Sequence, residues 1–199
     1  MDGDDRLPLV LASTSPRRRE LLQQAGFAFE VIPADIEEAE GPGEAPDALV
    51  RRLARDKALA VARRLGPEPP RRVLGADTLV VLDDTVLGKP ADALQAVCTL
   101  TRLAGRTHRV LTGVALVSSR GLSVRQCHVE TRVRMRAADA EEIRAYVASG
   151  EPMDKAGAYA AQGSGRRFIE EIVGSESNVI GLPLDETVEL LRQAGVPWR

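Results

Sequence analysis

Leu7-Pro8-Leu9-Val10-Leu11-Ala12-Ser13-Thr14-Ser15-Pro16-Arg17-Arg18-Arg19-Glu20-Leu21-Leu22 reads as a strand that feeds a helix. Leu7 to Ala12 is a short apolar run. The hydroxyls of Ser13, Thr14 and Ser15 suit an N-cap, and Pro16, with no N–H to lose and a fixed φ, suits the first helical position. The helix is expected over about Pro16 to Ala25, with Leu21, Leu22 and Ala25 inward and Gly26 ending it. Phe27 to Ile32 then reads as a second strand.

Working outward, Asp35 to Asp47 holds four glutamates, two prolines and two glycines, the composition of a solvent-facing loop and a candidate mobile lid. Val50, Leu53, Ala54, Ala58, Val61 and Leu65 recur at helical spacing on a charged segment that Gly66-Pro67 stops. Val73 to Leu82 is apolar apart from Asp77 and Thr78. Asp83-Asp84 makes a turn into a short strand, Thr85 to Leu87. A helix over about Asp92 to Leu103, closed by Gly105, precedes two longer strands, Arg106 to Ser118 and Leu122 to Arg136, joined at Ser119-Arg120-Gly121. In the second of these, Val129, Thr131, Val133 and Met135 share one face while Glu130, Arg132, Arg134 and Arg136 share the other, the pattern of a half-exposed strand. Ala138 to Ser149 is helical with Gly150 as its cap, Phe168 to Val173 is apolar but for Glu170 and Glu171 and follows a glycine-rich segment, Gly174 to Pro183 is a loop, and Leu184 to Ala194 is a final helix. The element order is that of an α/β protein.

The composition removes whole classes of function. A chain of 199 residues that is 44% hydrophobic and 28% charged buries a core, as one large or two small lobes. Its 27 basic and 29 acidic residues leave a net charge of −2, and only six residues are aromatic, which argues against holding nucleic acid by bulk charge or by base stacking. Cys98 and Cys127, like His108 and His128, lack ligand spacing, so a zinc site is not expected. Met1 to Arg6 is polar and acidic, and no apolar run approaches the roughly 18 residues a membrane span requires. The default is a soluble protein of a reducing compartment. Arginine outnumbers lysine 24 to 3, so Lys57, Lys89 and Lys155 stand out against a background that writes Arg.

Several groups can carry chemistry, each with a plainer reading beside it. Ser13 to Arg19 at a strand-to-helix junction offers backbone N–H groups, hydroxyls and guanidinium forks to an anion; the plain alternative is a capped helix with solvated arginines. Asp77 in Gly75-Ala76-Asp77-Thr78 is either a carboxylate at a sheet crevice, able to ligate Mg²⁺ or take a proton from water, or a structural acid at a turn. Asp35, Glu37, Glu38 and Glu40 form a solvated acidic loop or supply a second metal carboxylate. Lys89 sits on a stiff turn, Gly88-Lys89-Pro90, without P-loop spacing. Gln162, among small residues after Asp154-Lys155-Ala156-Gly157-Ala158-Tyr159, can read a base edge or bond to backbone. Gly174-Ser175-Glu176-Ser177-Asn178 is a polar loop with weak specificity of its own.

Ser13-x-Ser-Pro-Arg-Arg-x-Glu-Leu-Leu22, Gly75-Ala-Asp-Thr78, Gly88-Lys-Pro90, Asp154-Lys-Ala-Gly-Ala-Tyr159 with Gln162-Gly163, and Gly181-Leu-Pro183 together resemble the Maf family of nucleoside triphosphate pyrophosphatases, in order and spacing, from Leu9 to about Leu191. The resemblance implies one domain over residues 1–199, an elongated, two-lobed mixed sheet with flanking helices around a central cleft, related to inosine triphosphatase. It implies hydrolysis of dTTP and UTP to monophosphate and pyrophosphate, in cytoplasmic house-cleaning of nucleotides, because these motifs are similar to the dTTP/UTP branch. A 7-methyl-GTP or broader modified-nucleotide activity, or a nucleotide-binding regulator of septum formation, is the alternative. By the same match Asp77 activates water, Glu38 and Asp77 hold a divalent cation (Mg²⁺ or Mn²⁺), Arg18, Lys57 and Lys89 neutralise the triphosphate, Ser13 bonds to it, and Arg17, Thr78 and Gln162 govern base choice. No nucleic acid or membrane partner is implied, a homodimer is left open, and Lys155 receives no role.

Overall fold

A computed structural model describes residues 8–198; the expected first strand residue Leu7 and the polar segment 1–6 lie outside the described residues. The chain runs β1 (Leu9–Leu11), α1 (Pro16–Gln24), β2 (Phe29–Val31), α2 (Pro46–Leu65), β3 (Arg72–Leu82), β4 (Thr85–Leu87), α3 (Ala93–Leu103), β5 (Thr107–Ser118), β6 (Val124–Met135), α4 (Ala140–Ala148), β7 (Ile169–Val173), α5 (Glu176–Ile180) and α6 (Leu184–Gln193). The boundaries follow local chemistry. Ser15, Asp92 and Asp139 cap α1, α3 and α4 by accepting from the backbone N–H three residues on. Gly26 and Gly150 take positive φ after α1 and α4, where a side chain would be strained. Asp83 and Asp84 both take positive φ in the β3–β4 hairpin, the conformation that a two-residue turn of matching twist demands.

The seven strands form one mixed sheet in the order β2-β1-β3-β5-β6-β7, with β4 paired to β3. β1 is parallel to both β2 and β3, so Ser13, just beyond β1, follows the same strand direction that carries β3 to Asp77. The alternation expected on β6 is present: Thr131, Val133 and Met135 are buried while Glu130, Arg132 and Arg134 are exposed.

Two compact units emerge. The first comprises residues up to Asp77, Thr112–His128 and from Gly181 onward; the second comprises Thr78–Leu111 and Val129–Ile180. The core of the first is small-residue and aliphatic, with Val10, Ala54, Ala58, Val61, Val73 and Ala115 all fully buried. The second is built round Leu100, Leu103, Met135, Tyr146, Tyr159 and Phe168.

In the first unit, helix α2 lies unusually close to the sheet. A Cβ on Gly75 would stand 2.3 Å from the Ala54 carbonyl oxygen, and one on Gly113 would stand 2.4 Å from that of Val50. Only glycine permits both approaches, on β3 and on β5. The sequence pattern differs from the structure in two places. Residues 150–168 contain three short 3₁₀ turns, Glu151–Asp154, Ala156–Ala158 and Gly163–Phe168, and the polar stretch read as a loop holds α5. Elements of three to six residues are too short to display a periodicity.

Candidate active site

The close approach at Gly75 sets up the site in the first unit. Lys57 follows Ala54 by three residues on α2, and Asp77 follows Gly75 by two on β3. Their side chains meet: Lys57 Nζ donates to Asp77 Oδ1 at 2.6 Å. Both residues are buried, at 8% and 5% exposure, and a charge is tolerated there because it is paired. Lys57 Nζ also lies 2.8 Å from Glu38 Oε1 on the acidic loop. Two carboxylates from different segments thus converge on one point of positive charge, and one of them, Glu38, is exposed.

Ser13 and Arg18 adjoin this trio. Buried Ser13 accepts through Oγ from the Ser15 N–H at 3.2 Å and from Arg18 Nη1 at 3.3 Å. Arg18 Nε donates to the Gly181 carbonyl at 2.9 Å, which fixes the guanidinium to the Gly181-Leu182-Pro183 segment. Burial pulls the Arg18 pKa below its ordinary value, Asp77 and Glu38 raise it, and Arg17 lowers it; guanidinium basicity keeps the side chain a cation at working pH. Arg17 is partly buried on the first turn of α1. The arrangement places cation and hydroxyl donors at a helix N-terminus beside a buried carboxylate, a setting that can bind phosphate oxygens and place a water against a base.

The acidic loop is fastened to the body. Arg52 of α2 grips the Glu44 carboxylate through Nε at 2.8 Å and Nη2 at 2.7 Å, and Nη2 also reaches the Ala39 carbonyl at 2.8 Å. The Arg52 hydrogen bonds, with the Gly41 N–H, hold the Glu44 carboxyl down at about 2. Glu38 is therefore the neighbour of a clasped segment.

The remaining expected residues belong to the second unit. Thr78 is partly buried on β3, Lys89 is exposed on the turn after β4, and Gln162 is exposed just before the third 3₁₀ turn. The Gly157 N–H donates to the Gly88 carbonyl at 3.2 Å, and a Cβ on Gly157 would meet Val80 Cγ1 at 2.8 Å. Positive φ and close packing at Gly157 thus bind the Asp154–Tyr159 segment to the turn that carries Lys89. Lys155, left without a role by the sequence, donates to the Glu151 carbonyl at 2.6 Å and to Asp154 Oδ1 at 2.5 Å.

Two features escape the sequence reading. His108 is buried and its Nε2 lies 2.7 Å from the Tyr159 hydroxyl, the rings meeting edge to face. Burial lowers the imidazole to about 4, so it is neutral at physiological pH. The other is the carboxylate of Glu151, which gathers four donors.

A family model described as Maf-like protein matches residues 8–194. The chain belongs to the Maf family. Among curated relatives, the dTTP/UTP pyrophosphatase of Myxococcus xanthus is 54% identical over 201 residues, covering 100% of this chain and 99% of its own. The dTTP/UTP pyrophosphatase of Symbiobacterium thermophilum is 51% identical over 189 residues, covering 95% of each. Among solved structures, a nucleoside-triphosphatase / dITP/XTP pyrophosphatase of Mycobacterium abscessus aligns with a TM-score of 0.47 at 14% identity, over 94% of this chain and 98% of that one, a likeness too loose to bear on function. No helix among the described residues is long and apolar enough to cross a membrane.

Proposed function

We propose that this chain is a nucleoside triphosphate pyrophosphatase that hydrolyses dTTP and UTP to the monophosphate and pyrophosphate, in cytoplasmic house-cleaning of nucleotides. The observation that carries the reading is the convergence of Lys57 on Asp77 and Glu38 beside Ser13 and Arg18. Full-length identity of 54% to a relative of that name supports it.

Asp77 takes a proton from water, whose oxygen attacks the α-phosphorus; the new bond is P–O from water, the broken one is P–O to pyrophosphate, which leaves with the electron pair. Lys57 orients the Asp77 carboxylate and faces the polyphosphate with its ammonium charge. Arg18 and the Ser13 hydroxyl bind phosphate oxygens at the N-terminus of α1, where the helix dipole adds to their pull. By residue-by-residue match to the family, Lys89 neutralises the triphosphate, and Arg17, Thr78 and Gln162 govern base choice. These roles supply the charge stabilisation that displacement at phosphorus requires.

The donor set fits a divalent cation. Glu38 and Asp77 reach a common point, now met by Lys57 Nζ, and Mg²⁺ commonly takes one or two carboxylates and completes its shell with phosphates and water. No group of three or more His, Cys, Asp or Glu side chains converges among the described residues. When bound there, Mg²⁺ or Mn²⁺ would neutralise charge developing on the phosphate oxygens.

The test is pyrophosphate release from a nucleotide panel with Mg²⁺, with and without chelator. dTTP and UTP should lead the panel, and Asp77→Asn should abolish turnover of a folded protein. Faster hydrolysis of 7-methyl-GTP, or a near wild-type rate from Asp77→Asn, overturns the reading.

A further inference from the structure

Glu151 directly follows Gly150, which takes positive φ after α4. Its carboxylate accepts four hydrogen bonds: Oε1 from the Tyr146 hydroxyl at 3.0 Å and the Gly165 N–H at 2.9 Å, Oε2 from the Ser164 N–H at 3.1 Å and the Ser164 hydroxyl at 2.6 Å. Every partner donates, so the position demands a group that accepts through both oxygens, which an ionised carboxylate does and an amide does not. Burial opposes ionisation, but the bonds from Ser164, Gly165 and Tyr146 outweigh it and bring the carboxyl below its ordinary range.

Tyr146 extends the reach of this carboxylate. While donating to Glu151, its hydroxyl accepts from the Ala160 N–H at 3.2 Å. The backbone on both sides of Gln162 is thus tied to one group: Ala160 through Tyr146, and Ser164 and Gly165 directly. The two glycines make room for it. A Cβ on Gly165 would stand 2.5 Å from the Tyr146 hydroxyl, and one on Gly163, which has positive φ, would stand 3.1 Å from Glu151 Oε2. Lys155 in turn holds the Glu151 carbonyl. Gln162 itself is exposed at the middle of this tied segment.

We infer that Glu151 is a positioning residue that fixes the Gln162 amide for reading the base, acting through Ser164, Gly165 and the Tyr146 hydroxyl. The inference rests on the assignment of Gln162 to base choice. Without Glu151, four donors lose their acceptor, the loop samples other conformations, and the amide loses its aim while the phosphate chemistry of the first unit is untouched. The effect therefore falls on KM and on base discrimination rather than on kcat.

The experiment compares Glu151→Gln, Tyr146→Phe, Gln162→Ala and the Glu151→Gln/Gln162→Ala double variant. Each is assayed with dTTP and dCTP, and the nucleotide-free proteins are followed by amide hydrogen exchange. Glu151→Gln should raise KM for dTTP roughly tenfold, the worth of one or two lost hydrogen bonds, with kcat within about threefold. Tyr146→Phe, which keeps the buried ring, should shift in the same direction by less. The double variant should be no worse than Gln162→Ala, because both changes remove one interaction. Exchange at Ala160, Ser164 and Gly165 should quicken in Glu151→Gln. Unchanged exchange there, or additive effects in the double variant, overturns the positioning role. Unaltered base choice in Gln162→Ala overturns the base-reading assignment itself, with the exchange result still reporting whether the clamp exists.

Discussion

Gly75 and Ala54 bring strand and helix too close for any side chain: the carbon that alanine would add at 75 falls 2.3 Å from the Ala54 carbonyl oxygen and 2.8 Å from the Ala58 nitrogen. Both obstacles are backbone, so nothing flexible can yield. Gly75→Ala should therefore push α2 away from β3, lower stability by about 1–3 kcal/mol as overpacking does, and separate Lys57 from Asp77. Thermal melts and kcat measured together check this, with a fall in both expected. Gly88→Ala, where an added carbon meets nothing within 4 Å, should leave the melting temperature in place.

Removing one member of the buried ion pair should be worse than removing both. Lys57→Met leaves the Asp77 carboxylate buried without its lysine partner, and breaking such a pair typically costs ~3–5 kcal/mol, the charge interaction with Arg18 keeping the loss near the lower figure. The double variant Lys57→Met/Asp77→Leu should recover most of that loss by urea unfolding while remaining inactive. Equal stability of single and double variants would refute the pairing.

His108 makes stability depend on pH in a defined window. Its imidazole titrates near 4 in the folded chain because burial disfavours the cation, against an ordinary value of 6.5. Between those values the unfolded chain binds more protons, so stability is complete above about 6.5 and is lost as pH falls towards 4, by up to ~3 kcal/mol. In His108→Leu the urea midpoint should vary less with pH across that window, at the expense of the Tyr159 hydroxyl, which loses its partner.

The clasp between Arg52 and Glu44 should outlast ordinary acid. The folded-state carboxyl is depressed to about 2, so its contribution is present above the unfolded value of 4.5 and disappears as pH falls through about 2. Glu44→Gln should speed amide exchange over residues 39–44 at neutral pH and leave the α2 amides unchanged. Protection of 39–44 equal to wild type would show that the loop is held by something else.

Most of the fold is written in periodicity and punctuation. The apolar stripe of α2, the Asp83-Asp84 hairpin and the alternation on β6 are local signals that survive packing, so they were readable without it. The site is legible to the extent that its chemistry is unusual in sequence: Asp77 interrupts a buried run, and Lys57 falls on the apolar stripe between Ala54 and Ala58, a signal that points to a partner. Glu151 and His108 are different. Their importance arises from what folds against them, four donors for one and Tyr159 for the other; apart from Tyr146, five residues before Glu151, these partners are too distant in sequence to mark them. The glycines at 163 and 165 are the only trace, since their lack of side chains makes sense once a carboxylate and a phenol must fit beside them.

The scarcity of lysine acquires a practical meaning from where the three side chains lie. Lys57 and Lys155 retain 9% and 14% side-chain exposure and each ammonium is engaged by carboxylate or carbonyl oxygens, whereas Lys89 is exposed. An amine-directed reagent at low excess should therefore acylate Lys89 ahead of both, apart from the chain's α-amino group. With the α-amino group blocked first, that selectivity gives a handle: a fluorophore or crosslinker can be attached beside the triphosphate subsite assigned to Lys89 without introducing a cysteine.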